Sequence, residues 1–195
     1  REAMPVRLSA GEPRWPDGSK GWHDALASAG SIAEAVAAAQ GGFAVAEPLS
    51  GNGTFMAVDR FAQQTLCWRV DGGQLRVADR ADALGGADID PQAIHDYLFF
   101  HAIPSPRTIY RGVNRLPAGH FALANGADVQ VSRYDALRFT PQPKASFESL
   151  KREFRGLMTD AVRRELGSGV PACFLSGGTD SSTVAGHIKQ LAGEV

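Results

Sequence analysis

Ser176-Gly177-Gly178-Thr179-Asp180-Ser181-Ser182 combines four hydroxyls, two adjacent glycines and one carboxylate, residue types from which a phosphate site can be built. Adjacent glycines reach backbone dihedrals closed to other residues and let an anion approach the main chain. A helix opening directly after them would aim its unpaired N–H groups, and the positive end of its dipole, at that anion. Ser176, Ser181 and Ser182 add hydroxyl donors. Asp180 would repel a bare phosphate, so its presence implies a magnesium ion shared with the ligand. The other common phosphate loop, G-x-x-x-x-G-K-[ST], does not fit, because no Lys or Arg lies between Ser176 and Lys189. Five specified residues at average usage coincide by chance in roughly one window per million. The bland alternative is a serine-glycine turn joining a strand to a helix.

The elements flanking this loop can be read from pattern. Ala172-Cys173-Phe174-Leu175 is a short apolar run of the length of a buried strand, and a helix is expected from Ser181 through Leu191. Upstream, Ser146 is placed to cap a long amphipathic helix. Phe147, Leu150, Phe154, Leu157, Met158, Ala161, Val162 and Leu166 recur at three- and four-residue spacing, and Gly167 and Gly169 end it. Pro141-Gln142-Pro143 interrupts both helix and sheet, which places a linker at 141–146 between residues 1–140 and 147–195. A parallel strand needs a neighbour reached through a crossover of about a dozen or more residues. Only four residues follow Leu191, so the second domain is expected to be incomplete and the chain a fragment of a longer protein.

Residues 1–140 carry a different pattern. Arg1 to Lys20 reads as loop with a little extended chain, and Ser31 with Glu34 forms the capping-box signature of a helix from about Ile32 to Ala39. Strands are expected at Phe43–Ala46, Phe55–Val58, Thr65–Val70, Gln74–Ala78, Phe121–Leu123 and Val129–Val131, with Asp71-Gly72-Gly73 and Asn125-Gly126 as hairpin turns. Pro91 opens a helix whose Ile94, Tyr97, Leu98 and His101 should form one buried stripe. Short strands joined by tight turns indicate antiparallel sheets.

Composition excludes several classes. Twenty Lys and Arg against 21 Asp and Glu leave a net charge of -1, with neither a basic excess for nucleic acid nor a charge block for a membrane surface. No apolar run approaches a bilayer span. Cys67 and Cys173, the only cysteines, read as packed, reduced thiols of a cytoplasmic protein. His23, His95, His101, His120 and His187 show no metal-ligand spacing, and a structural hydrogen bond is expected for His120. Asp59-Arg60 reads as a structural ion pair at a strand end.

The run F-L-S-G-G-T-D-S-S resembles the pyrophosphate-binding loop of ATP pyrophosphatases, in the version found in asparagine synthetases. Three further strings resemble the same family in the same order: Met56 to Leu75, Ala78 to Leu84, and Ile109 to Leu123 with Tyr134 after it. The resemblance implies an antiparallel two-sheet sandwich between helices, of the N-terminal-nucleophile amidohydrolase type. The first strand, loop and helix of an α/β ATP pyrophosphatase (PP-loop) domain would follow. It implies a carbon–nitrogen ligase that uses magnesium ATP, turning a small-molecule or peptide carboxylate into an acyl-adenylate from which an amine displaces AMP. Ser176, Gly177, Gly178, Asp180, Ser181 and Ser182 would hold the pyrophosphate, Asp180 the magnesium, and the Leu175 backbone would meet the adenine.

The family's glutaminase uses a cysteine as residue one, whose thiol attacks the glutamine amide with the chain's α-amine as base. Position 1 here is Arg, and Cys67 lies mid-strand. The glutamine-binding R-L-[SA] and N-G-E segments are not recognisable. The expectation is therefore a shortened, non-hydrolytic domain, as in relatives that close lactams or join peptides, and a chain inactive alone. Two other readings stand beside it. One is a glutamine-hydrolysing asparagine synthetase whose first residues are not in this chain. The other is a non-catalytic interaction module whose loop is a relic. An unpaired strand at 172–175 could also join two copies into a homodimer.

Overall fold

The computed structural model describes residues 6–51, 53–141 and 144–193, and the chain divides into two compact units, residues 1–138 and 139–195. Arg1 lies outside the described residues, as do Gln142 and Pro143 of the expected linker.

The first unit runs β1 (Leu8–Gly11), α1 (Trp22–Ser28), α2 (Ile32–Ala38), β2 (Phe43–Pro48), β3 (Gly53–Val58), β4 (Cys67–Asp71), β5 (Gln74–Ala78), α3 (Pro91–Phe100), β6 (Asn114–Arg115), β7 (His120–Asn125) and β8 (Asp128–Arg133). The strands form two antiparallel sheets, one in the order β1-β2-β3-β7-β8 and one in the order β5-β4-β6.

Strict alternation along three strands builds two cores from one sheet. Ala44, Ala46, Met56, Val58, Ala122 and Ala124 face the smaller sheet, where they meet Leu66, Trp68 and Leu116. Phe43, Val45, Phe55, Ala57 and Phe121 face the other way, against Trp15, Trp22, Ala25, Ala35 and Val36. Alanines on the inter-sheet side leave room for the bulk of Met56 and Trp68. The helix side is filled by aromatic rings in edge contacts, Trp22 lying 4.8 Å from Trp15 and 4.9 Å from Phe43. Fully burying one such large apolar side chain stabilises by about 1.5–3 kcal/mol. The architecture is α+β, with two sheets packed face to face and α1–α2 layered on the larger one. On the outer face of the smaller sheet, Cys67 packs with Leu84 and Val113 under loops and a short 3-10 turn at Ala81–Ala83.

Several expectations change in detail. Leu8–Gly11 is a strand, because it zips antiparallel onto β2 from Leu8↔Ala46 to Gly11↔Phe43. Trp22–Ser28 is a helix of its own, fixed by burial of Trp22 and Ala25. The β7–β8 turn is Gly126-Ala127, since Asn125 pairs with Asp128 within the ladder. The largest correction concerns α3. Asp90 caps it, its carboxylate accepting from the Gln92 N–H at 3.0 Å. However, Ala93 is its buried residue, whereas Ile94, Tyr97, Leu98 and His101 are exposed. Arg107 pairs with both Asp90 and Asp96, so one side of α3 is tied to the following loop while its apolar side chains face outward.

Asp59 and Arg60 are structural, but not as an ion pair with each other. Asp59 is buried, and its carboxylate accepts from the N–H groups of Phe43, Phe61, Gln63 and Gln64 at 2.9–3.2 Å. Arg60 donates to the Ala37 and Ala39 carbonyls at the end of α2 and pairs with Asp135 at 3.6 Å. The Tyr134 hydroxyl donates to the Val58 carbonyl at 2.8 Å, and burial pushes its pKa up.

The second unit holds α4 (Phe147–Glu165) and α5 (Thr179–Ala192). Ser146 caps α4 as expected, its hydroxyl accepting from the Ser149 N–H at 3.2 Å. Ala172 to Leu175 is not a strand: no ladder forms, and Phe174 is 99% exposed. Its apolar run has the composition of a core strand, but no partner strand exists among the described residues. α5 starts two residues earlier than expected, at Thr179, with Gly178 as its N-cap.

Candidate functional site

The loop from Ser176 to Gly178 turns the extended chain into α5. Gly177 adopts φ +80, a left-handed conformation that disfavours any side chain. Gly178 follows in an extended conformation. The N–H groups of Thr179, Asp180 and Ser181 belong to the first helical turn and have no intrahelical acceptor. The Ser182 N–H is the first to close the helix, donating to the Gly178 carbonyl at 3.2 Å.

Hydroxyls complete the loop. The Ser181 hydroxyl accepts from the Ser176 N–H at 3.2 Å and lies 3.0 Å from the Ser176 hydroxyl. The Ser176 hydroxyl in turn accepts from the Gly178 N–H at 3.4 Å. The Ser182 hydroxyl donates to the Gly178 carbonyl at 2.8 Å, which turns it back along the helix. Ser176 and Ser181 therefore meet across the turn, and the Ser181 hydroxyl, which also reaches the Gly178 carbonyl at 3.3 Å, braces it together with Ser182. Loop residues 176–180 are all exposed, as is Leu175, so an anion can reach the turn from solvent.

The structure thus brings Ser176, Gly177, Gly178 and Ser181 together around one helix end, with Asp180 on its first turn. Three first-turn amides and two hydroxyls suit a phosphate or pyrophosphate group. Asp180 is the one carboxylate at this turn, and no group of three or more His, Cys, Asp or Glu able to hold a metal occurs among the described residues. A magnesium ion fits here only as a partner of the anion, reaching Asp180 while keeping its other ligands from phosphate oxygens and water. Sequence reasoning did not find the cross-link between α5 and α4: His187 Nδ1 lies 3.2 Å from the Thr159 hydroxyl, 28 positions away. No sequence pattern marks such a contact.

In the first unit, Cys67 is the one cysteine among the described residues. Cys67 is 2% exposed, and burial pushes its thiol pKa up, away from the reactive thiolate. It lies at the base of a cleft of about 530 Å³ lined by Thr65, Asp79, Arg80, Asp82, Tyr110 and Arg115. Arg80 pairs with Asp82, and Arg115 with the Ser105 hydroxyl and the Ile103 carbonyl. His120 makes the structural contact expected of it, its Nδ1 lying 2.8 Å from the Ala118 carbonyl.

Residues 23–135 match a family described as a glutamine amidotransferase domain, and residues 153–194 match one described as asparagine synthase. The chain belongs to the asparagine synthetase family. A putative asparagine synthetase [glutamine-hydrolyzing] of Mycobacterium tuberculosis is 30% identical over 144 residues, covering 67% of this chain and 22% of that protein. Asparagine synthetase [glutamine-hydrolyzing] 1 of Bacillus subtilis is 30% identical over 141 residues, covering 69% and 22%. Amidase chyE of Penicillium rubens is 30% identical over 145 residues, covering 69% and 21%. The chain spans about a fifth of the length of these relatives. The two-sheet first unit is compatible with the amidotransferase match. No helix among the described residues is long and apolar enough to cross a membrane.

Proposed function

We propose that this chain is the amidotransferase-like domain (1–140), linker (141–146) and opening segment of the PP-loop ATP-binding domain (147–195) of an ATP-dependent amide ligase. In this reading a substrate carboxylate attacks the α-phosphate of ATP, pyrophosphate leaves, and an amine displaces AMP to give the amide. The turn at Ser176 to Ser182 receives the pyrophosphate. Its first-turn amides and the hydroxyls of Ser176 and Ser181 stabilise the charge that grows on the leaving group, a role that needs donors placed in advance. Asp180 would hold the magnesium that accompanies ATP, and that ion would supply positive charge beside the leaving group.

The observation that carries this reading is the left-handed Gly177 followed at once by the open, exposed N-terminus of a fourteen-residue helix. The test is exchange of labelled pyrophosphate into ATP by the full polypeptide, with aspartate and a panel of peptide carboxylates. Asp180→Ala should lower exchange on the order of a hundredfold or more. An unchanged rate would show that the loop binds no pyrophosphate.

In the same reading the first domain has lost glutaminase activity. Two features support this: Cys67 is buried in a sheet, and the space between the sheets is filled by Met56, Val58, Leu66, Trp68 and Leu116. A second reading, a glutamine-hydrolysing asparagine synthetase, is favoured by the names of several relatives. Glutamate release from glutamine separates the two. The first reading expects release at the buffer rate, and the second expects release well above it.

A further inference from the structure

We infer that His187 is a positioning residue for the pyrophosphate turn, acting through its hydrogen bond to Thr159. The inference rests on the proposed function of the loop and adds what holds that loop in place. The Thr159 hydroxyl has one proton, and it goes to the Arg155 carbonyl at 2.9 Å within α4. Toward His187 the hydroxyl oxygen can therefore only accept. The proton of the 3.2 Å contact sits on His187 Nδ1.

This bond is a directional link between two helices. Ile188 is the buried residue of α5, and Met158, Val162, Val184 and Leu191 of the two helices are half-buried. Apolar contact is non-directional and tolerates small sliding of one helix along another. A hydrogen bond is confined to a few tenths of an ångström and to a narrow angle. His187 lies about 12 Å along the axis from Thr179, at 1.5 Å per residue. A helix transmits an axial shift along its length, so displacement at His187 reappears at the first-turn amides. Ser176 moves with them, because its N–H is held by the Ser181 hydroxyl. Charge stabilisation by fixed donors is sensitive to such shifts.

The experiment titrates the full polypeptide with magnesium pyrophosphate and compares four substitutions. His187→Asn keeps a donor near the Nδ1 position, and Thr159→Ser keeps the acceptor; both should bind within twofold of the unaltered protein. His187→Gln moves the donor away, and Thr159→Val removes the acceptor with little change of shape. Each should weaken binding about tenfold, and the double substitution should be no weaker than either alone, as coupled partners require. If His187→Gln does not fold, the Thr159→Val and Thr159→Ser pair gives the same comparison. Binding by His187→Gln or Thr159→Val within twofold of the unaltered protein, even with a lowered melting temperature, would make the contact merely structural and overturn the inference. Equal loss in His187→Asn and His187→Gln would overturn it too. No binding by the unaltered protein would remove the loop reading itself, a result distinct from either.

Discussion

Asp59 concentrates more backbone hydrogen bonds than any other side chain described. Its buried carboxylate takes four N–H groups from a loop and from the start of β2, the Phe43 bond fully buried and the other three partly so. Asn offers one acceptor oxygen and turns an NH₂ toward donors, so Asp59→Asn should orphan two amides and cost about 2–4 kcal/mol. Chemical denaturation followed by the fluorescence of Trp15 and Trp22 would measure it. Glycines permit a sharper comparison at the same scale. A Cβ on Gly11 would lie 2.0 Å from the Gly42 carbonyl oxygen at φ +79, whereas one on Gly72 would meet open space at φ +55. Both substitutions carry left-handed strain of about 1–2 kcal/mol. Gly11→Ala must also part β1 from β2, so it should cost about 3 kcal/mol or more, and Gly72→Ala about 1 kcal/mol. Similar losses at both sites would mean that the close approach of β1 to Gly42 is not maintained.

At the scale of elements, α3 combines a buried Ala93 with an ion-paired cap. Arg107 beside Asp90 holds the Asp90 carboxyl below its ordinary value, helped by the Gln92 N–H at the helix start. A group whose pKa is depressed by folding contributes stability above its unfolded value and loses it as pH falls through the folded one. The Asp90 cap and clamp should therefore hold at neutral pH and fail progressively below about pH 3.8, the ordinary carboxylate value. Hydrogen exchange, corrected for intrinsic rates, should show α3 amides losing protection on acidification before those of β2 and β3. Simultaneous loss would contradict this. The same helix shows where sequence reading stops. Its start was legible from Asp90-Pro91, because capping is local chemistry, and so were most of the larger strands and the cap of α4. Its buried face was not legible, since it depends on tertiary contacts such as the Arg107–Asp90 pair, 17 residues apart in sequence. β1 escaped for a related reason: Leu-Ser-Ala-Gly has little strand character and becomes a strand through its partner. At the candidate site, the Gly-Gly turn and helix start could be read from residue types alone. The His187–Thr159 contact could not, because it exists only once two helices pack.

Over the whole molecule, the two units differ in how much of their apolar surface they cover. The first places Phe43, Phe55, Met56, Leu66 and Leu116 fully inside two cores. The second has the right helical spacing on α4, yet Phe147, Phe154 and Leu157 are exposed, and Ala172 to Leu175 finds no strand to pair with. Stability follows covered apolar area and closed ladders, so the units should open independently and at very different cost. In the 195-residue chain, the amides of Phe55 to Val58 should exchange only through opening of the whole sheet, worth about 5 kcal/mol or more in a typical domain. Those of Cys173 to Leu175 should exchange close to the free-peptide rate, at least about a thousandfold faster. Alanine at Phe154 should then change the chain's stability by less than about 0.5 kcal/mol, while alanine at Phe55 costs about 3–5 kcal/mol. Protection at Cys173 to Leu175 that grows with protein concentration would show two copies pairing through this segment. Equal protection of both segments in a monomer would mean that 172–175 is part of a closed sheet, contrary to the arrangement described.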